Sequence, residues 1–312
     1  MHFDSDYWAI IIGGSSGFGL AAAHKLARHG MNLCIVHRDR RGAMPKIEPE
    51  FEALRDTGVR TLTLNLDGLT EAGRTRGLDH LADALGQNGR VRLLLHTVAF
   101  GNLKLLAPYQ NASAPLQARE KLSSEAGLPA DRMDQLITNA FAEGFDTLYT
   151  LVDDSDDYSN RQFLEKEDFT RTLQAMGFNI VEWAQDLLAR GLFASDARVL
   201  SLTSEGNRVA WRGYAAVAAA KSVLESVSRA MALELAPHGI RSNVIQAGIT
   251  RTPALQAIPG NNRMRAHAAL RNPLGRLATP EDVANVIFLM CLDEAAWING
   301  ALICADGGER IA

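Results

Sequence analysis

The sequence predicts a doubly wound α/β protein, a seven-stranded parallel sheet with helices on both faces and one insertion after the fourth strand. Three observations predict it. The apolar run Trp8 to Ile12 enters the glycine loop GGSSGFG, which opens a segment with helical spacing of Leu20, Ala23, Leu26 and Ala27. Gly30 then closes that helix and Asn32 to Val36 forms a second apolar run, completing a βαβ unit that requires a right-handed crossover. The same alternation repeats down the chain. Thr61 to Leu66 reads as the third strand and Val91 to Leu95 as the fourth, each preceded by a charged amphipathic segment. Val199 to Leu202 reads as the fifth, followed by a long helix that starts near Tyr214 and ends at Pro237 and Gly239. Ser242 to Gln246 and Leu302 to Ala305 supply the sixth and seventh. Such an order covers both faces of a parallel sheet and predicts one catalytic domain over residues 1–312.

One stretch breaks the rhythm, from about residue 107 to 160, where the composition turns polar and acidic. Within it, Asp131 to Glu143 has helical spacing, with Met133, Ile137 and Phe141 on one face, and DDSDDYSN after it reads as a solvated loop or linker. A surface excursion is the plain reading. Because the segment leaves the sheet at the carboxyl end of the fourth strand, where such folds place ligands, a substrate lid or an oligomer contact is the other.

Bulk composition removes several function classes. With 47% hydrophobic and 22% charged residues, the chain has the makeup of a globular protein rather than a disordered or fibrous one. Its net charge of -4 offers no basic field to hold a nucleic acid. Cys34, Cys291 and Cys304 lie far apart without metal-ligand spacing and read as reduced core residues. The opening MHFDSDYW lacks a basic start followed by an apolar stretch, and no apolar run reaches bilayer length, so a cytoplasmic enzyme with no membrane span is expected.

The glycine loop carries the first chemical signal. Gly13, Gly17 and Gly19 form G-x-x-x-G-x-G between a strand and a helix, where backbone N–H groups can approach a pyrophosphate at the positive helix end. A glycine turn alone can be merely structural; the βαβ context points to a Rossmann-like nucleotide site. At the end of the second strand, where NAD-using folds place an acid for the ribose hydroxyls, the chain has His37, Arg38, Asp39, Arg40 and Arg41. A guanidinium pairs with phosphate, so Arg38, assisted by Arg40 or Arg41, suits the extra phosphate of NADP, an ordinary solvated basic turn being the alternative. Asp67 after Leu66 is placed to meet the adenine amino group.

Read in order, GGSSGFG, Leu66-Asp67, HTVAFG from His96 to Gly101, SLTSEG from Ser201, Tyr214 with Lys221, QAGITRT from Gln246 and INGALICADGG from Ile298 resemble the short-chain dehydrogenase/reductase superfamily over everything but the insertion. The common active site of that superfamily has three residues between its tyrosine and lysine. Here GYAAVAAAK puts six between Tyr214 and Lys221, with Val217 in the usual tyrosine place. That spacing and HTVAFG resemble the divergent branch of bacterial enoyl-acyl-carrier-protein reductases, in the NADPH-using subgroup that keeps the ordinary glycine loop. A separation of seven is about two helical turns, so both side chains share one face.

The resemblance implies reduction of an enoyl thioester on acyl carrier protein or CoA in fatty acid synthesis, with Tyr214 hydrogen-bonded to the thioester carbonyl and Lys221 on the nicotinamide ribose. Ser204, ten residues before Tyr214, matches the place where enoyl reductases carry a second tyrosine or a serine, a turn or cap role being the alternative. NADPH is expected to touch Gly13, Ser15, Ser16, Gly17, Phe18 and Gly19, then His37, Arg38, Leu66 and Asp67. It is also expected on Thr97, Val98 and Ala99, on Lys221, and on Gly248, Thr250 and Thr252. His96 either lines the pocket or ends a strand, and Gln174 is the best alignable position for the active-site asparagine of many superfamily members. A homotetramer is expected by resemblance. A carbonyl reductase acting on a free small molecule, and a catalytically silent NADPH-sensing regulator, are the other readings; both Tyr214 and Lys221 being present counts against the regulator.

Overall fold

Among the described residues, seven strands pair in one parallel sheet in the order β3-β2-β1-β4-β5-β6-β7. The computed structural model describes residues 2–109, 113–145, 149, 151, 158 and 162–312. The strands are β1 (Tyr7–Ile12), β2 (Asn32–His37), β3 (Thr61–Asn65), β4 (Arg90–His96), β5 (Phe193–Ser204), β6 (Ile240–Ala247) and β7 (Leu302–Ala305). Helices α1 (Gly17–Arg28), α2 (Met44–Arg55) and α3 (Glu71–Leu85) alternate with the first four strands. The insertion carries α4 (Ser113–Glu125) and α5 (Ala130–Ala142). Then come α6 (Lys166–Leu173), a π-helical turn over Gln174–Phe178, α7 (Asn179–Ala189) and α8 (Ala215–Glu234). Between β6 and β7 lie α9 (Pro253–Gln256), α10 (Asn261–Arg271) and α11 (Pro280–Met290).

The apolar runs are continuous because both faces of the sheet are covered. Successive β1 residues alternate between two cores: Ala9 and Ile11 pack with Leu26 of α1, Phe51 of α2 and Ile287 of α11. Trp8, Ile10 and Ile12 pack with Leu81 of α3, Trp183 of α7 and Leu224 of α8. At about 1.5–3 kcal/mol for each large side chain removed from water, these two layers fix the register of every strand.

Two boundaries differ from expectation. β5 begins at Phe193, not Val199, because Arg198 within it is buried and paired with half-buried Asp196. The Arg198 guanidinium, fully buried, donates to the Met290 carbonyl at 3.1 Å and to Asp196 at 2.6 Å, which lets a charged residue sit inside a strand. The expected insertion helix, Asp131 to Glu143, appears as α5 at Ala130–Ala142, and α4 beside it had no apolar stripe to announce it. DDSDDYSN falls outside the described residues except for Tyr158. Cys34 and Cys291 are buried thiols, and Cys304 is partly buried. Among the described residues no helix is long and apolar enough to cross a membrane.

Candidate functional site

The strand order reverses beside β1, with β2 on one side and β4 on the other, and a cleft runs across the carboxyl ends there. Its first half is built by the loops after β1, β2, β3 and β4. Thr97 Oγ1 donates to the carbonyls of Ile12 and Gly13, each at 3.0 Å, and holds the glycine loop against the end of β4. Gly19 is needed for this closeness, since a Cβ there would stand 2.5 Å from the Gly13 carbonyl and 2.6 Å from Thr97 Oγ1. Ser16 precedes α1 without capping it through its side chain, and the first turn of α1 holds no acid, so the end of the helix can serve an anion. Ser15, Ser16, Gly17 and Phe18 line this half of the cleft.

At the far end, Arg38 donates to Asp67 at 2.7 Å and lies 4.8 Å from the Phe100 ring centre. Both partners of this ion pair are well exposed, so it contributes little stability and can open to a ligand. Asp67, expected to reach the adenine, is thus held by Arg38 and by the Leu69 amide at 3.1 Å. His37, expected on the cofactor, is buried against Phe51, with Nδ1 2.9 Å from Asp39, and only borders the cleft. Asp39 also lines this end of the cleft, though engaged by the imidazole. Arg40 and Arg41 are exposed and outside the lining.

The second half lies over β5 and β6. Tyr214 caps the amino end of α8, its hydroxyl 3.3 Å from Ser204 Oγ at the end of β5. Burial pushes the phenol pKa up, with the Ser204 hydrogen bond opposing. Gly206 makes room for the ring: a Cβ there would come 2.5 Å from Tyr214 Cε1. Two turns along α8, Lys221 is buried and donates to the Leu202 carbonyl at 2.8 Å. Burial brings its pKa down to about 8, opposed by the charge of Glu225, which itself accepts from Thr203 at 3.0 Å and Asn207 at 2.6 Å. Val217, Met176, Leu103, Ile258 and Met264 close an apolar cavity of about 160 Å³ around these two groups.

Most expected residues meet on this cleft: Thr97, Val98, Ala99, Lys221, Ser204, Tyr214, Gly248, Thr250 and Thr252 line the second half, and Leu66 and Asp67 the first. Thr252 borders both halves, yet its hydroxyl also caps α9 by accepting from the Leu255 amide at 3.2 Å. His96 ends β4 in the core and is not among the lining residues; burial and then the Lys221 charge lower its pKa to about 3, which keeps it neutral. Gln174 turns away, donating to Glu182 at 2.9 Å. Gly206, Met176, Trp211 and Met264 escaped the sequence reading. Gly206 was visible in SLTSEG beside Ser204, whereas Met176 and Met264 reach the cavity from distant helices with no local pattern to mark them.

Residues 143–309, more than half of the chain, match the family described as Enoyl-(Acyl carrier protein) reductase. Protein FixR of Bradyrhizobium diazoefficiens is 38% identical over 130 residues, 40% of this chain and 45% of FixR. The enoyl-(acyl-carrier-protein) reductase (NADH) of Escherichia coli is 33% identical over 156 residues, 50% of this chain and 58% of that protein. The chain thus spans about half the length of both relatives. Cis-4-hydroxycyclohexanecarboxylate dehydrogenase of Sinomonas cyclohexanicum is matched along 96% of this chain and 95% of its own, at 25% identity. Among solved structures, a Bacillus cereus enoyl-acyl carrier protein reductase superposes with a TM-score of 0.73 at 19% identity, covering 100% of this chain and 99% of the other. A Brucella melitensis 3-ketoacyl-(acyl-carrier-protein) reductase gives 0.65 at 23%, covering 98% of each chain. At these identities the structural likeness is one of fold. Taken with the motif order along the sheet, the family match places this chain in the enoyl-(acyl carrier protein) reductase family of the short-chain dehydrogenase/reductase superfamily, a group of oxidoreductases.

Proposed function

We propose that this protein reduces the α,β double bond of a trans-2-enoyl thioester, borne by acyl carrier protein or CoA, with NADPH, as a step of fatty acid synthesis. The observation that carries the reading is Tyr214 set two helical turns before buried Lys221, with apolar Val217 between them on the cavity wall. Family resemblance adds a cytoplasmic homotetramer.

The cleft fits the cofactor: an acid-free helix start and glycine loop for the pyrophosphate, an exposed guanidinium at the ribose end, and a buried ammonium beside the apolar cavity. Gly13, Ser15, Ser16, Gly17, Phe18 and Gly19 would hold the pyrophosphate, Arg38 the 2′-phosphate and Lys221 the nicotinamide ribose. NADPH bound there supplies a hydride to the β carbon. Negative charge then builds on the thioester oxygen, and the Tyr214 hydroxyl donates to that oxygen. Ser204 can donate to the phenol oxygen, which leaves the phenol proton for the substrate. Burial keeps the phenol protonated at neutral pH, and Lys221, charged below about pH 8, adds a positive field that matters most when the oxygen carries its full charge. Met176, Val217 and Met264 exclude water from the developing enolate. Protonation of the α carbon completes the reaction.

A second reading, oxidoreduction of a free ketone or alcohol, draws on the nearly full-length match to the Sinomonas dehydrogenase. In it Tyr214 gives its proton to the alkoxide as a general acid. One assay separates the two: oxidation of NADPH and NADH followed spectrophotometrically with crotonyl and acetoacetyl thioesters. Turnover of the crotonyl thioester with NADPH is expected; turnover of the ketone alone would replace the first reading by the second.

A further inference from the structure

The cavity is roofed by the segment after β6, whose inner side presents Leu255, Ile258 and Met264. The two ends of this roof are held differently. Its carboxyl end is tied to the body: Arg271 pairs with Glu205 at 2.5 Å and Glu309 at 3.4 Å, and Asn272 donates to the Asp306 carbonyl at 3.0 Å. Towards its amino end, where α9 gives way to α10, it turns at Gly260, in the left-handed region at φ 70°, and the neighbouring residues lean on the insertion.

Those contacts are specific. The Arg265 guanidinium lies 4.5 Å from the Phe141 ring centre, and Phe141 packs on Tyr149 at 4.3 Å. Tyr149 accepts from the Asn262 amide at 3.1 Å. Tyr158 donates to the Pro259 carbonyl at 3.4 Å and stacks on Tyr109 at 5.0 Å, which in turn lies under Arg212 at 4.6 Å. Pro259, Asn262 and Arg265 thus face the insertion while Ile258 and Met264 face the cavity, so the insertion and the substrate share one thin element. Phe141 is itself buried on α5, which gives the contact a fixed base.

We propose that the insertion is a brace that seats the α9–α10 lid over the apolar cavity, with Phe141 as a positioning residue for substrate. It goes beyond the choice between enoyl and keto substrate, since any apolar substrate in the cavity would meet the same lid. The brace lowers the fraction of time the lid is open, and so sets KM more than the chemical step.

The test is Phe141→Ala, read first by amide hydrogen exchange. Exchange over 253–271 is expected to speed up by about tenfold while β4, β5 and β6 keep their protection. With the thioester that wild type turns over, KM is expected to rise severalfold with kcat nearly unchanged. Phe141→Trp, which keeps a ring under Arg265, is expected to restore both. Unchanged exchange over 253–271, or a fall in kcat with KM unmoved, would overturn the brace. If Phe141→Ala also loosens the sheet, Arg265→Gln, which takes the cation off the ring and also the 3.2 Å hydrogen bond to Asn262, is judged by the same two readouts. Lack of enoyl turnover in wild type would sink the enoyl reading and leave the exchange comparison to decide the brace.

Discussion

The two halves of the cleft are made in different ways. The nucleotide half is built chiefly of backbone at strand ends: one glycine loop with its helix start, the ends of three further strands and the start of the lid, with Arg38 and Asp67 as exposed, movable side chains. The substrate half is made of side chains from seven separate stretches, Phe18, Thr97 to Leu103, Met176, Leu202 to Gly206, Trp211 to Lys221, Ala247 to Thr252 and the lid, with Lys221 buried and Tyr214 half-buried among them. Backbone N–H groups serve any anionic ligand, so the first half tolerates much sequence change. A phenol and an ammonium in an apolar wall work only at one geometry, so the second half is the brittle one.

That contrast is broken most directly by Tyr214→Phe. Turnover of the enoyl thioester is expected to fall by about 100- to 1,000-fold, with NADPH affinity unchanged, because the variant removes the one donor to the developing oxyanion. A variant that kept its rate would strip Tyr214 of its role. Gly206→Ala comes next. The added methyl must displace the Tyr214 ring, and a shift near 1 Å is expected to lower kcat by about tenfold to a hundredfold while cofactor binding again stays put. Loss of NADPH binding in either variant would show that the halves are not separable.

Arg38→Gln probes the other half. It is expected to raise the KM for NADPH by about tenfold and leave kcat nearly intact, since a charge-assisted bond to phosphate is lost far from the reacting carbon. An equal effect on NADH would mean that Arg38 does not read the 2′-phosphate.

The smallest effect is the pH response of Lys221. Its folded pKa, about 8, lies below the ordinary 10.5, so between these values the unfolded chain holds the extra proton. The cost of burying the ammonium is full below pH 8 and fades as pH rises toward 10.5, so the stability contribution of this group rises with pH. Lys221→Met is therefore expected to stabilise the fold by about 1 kcal/mol near neutral pH and by less in the alkaline range, read from thermal midpoints. In wild type, kcat/KM is expected to decline above about pH 8 as the ammonium is lost; Lys221→Arg, charged throughout, should lack that limb.

The seven parallel strands, the glycine loop and the Tyr214 to Lys221 spacing were legible in the chain because each rests on local pattern: an apolar run buried on both faces, a loop too crowded for Cβ atoms, two side chains on one helix face; the order of the strands across the sheet was not. The start of β5 was not, since Arg198 reads as solvent-facing until Asp196 and the Met290 carbonyl are seen to satisfy it. Nor was the inward turn of His37 against Phe51, the pairing of Arg38 with Asp67, or the withdrawal of His96 from the cleft beside Lys221, which depend on residues outside the local pattern. The insertion shows the same division. Its apolar stripe at Ile137 and Phe141 announced a helix, but only the tertiary structure put that helix against Arg265 on the lid, because a stripe states that a face must be buried and says nothing of what will cover it.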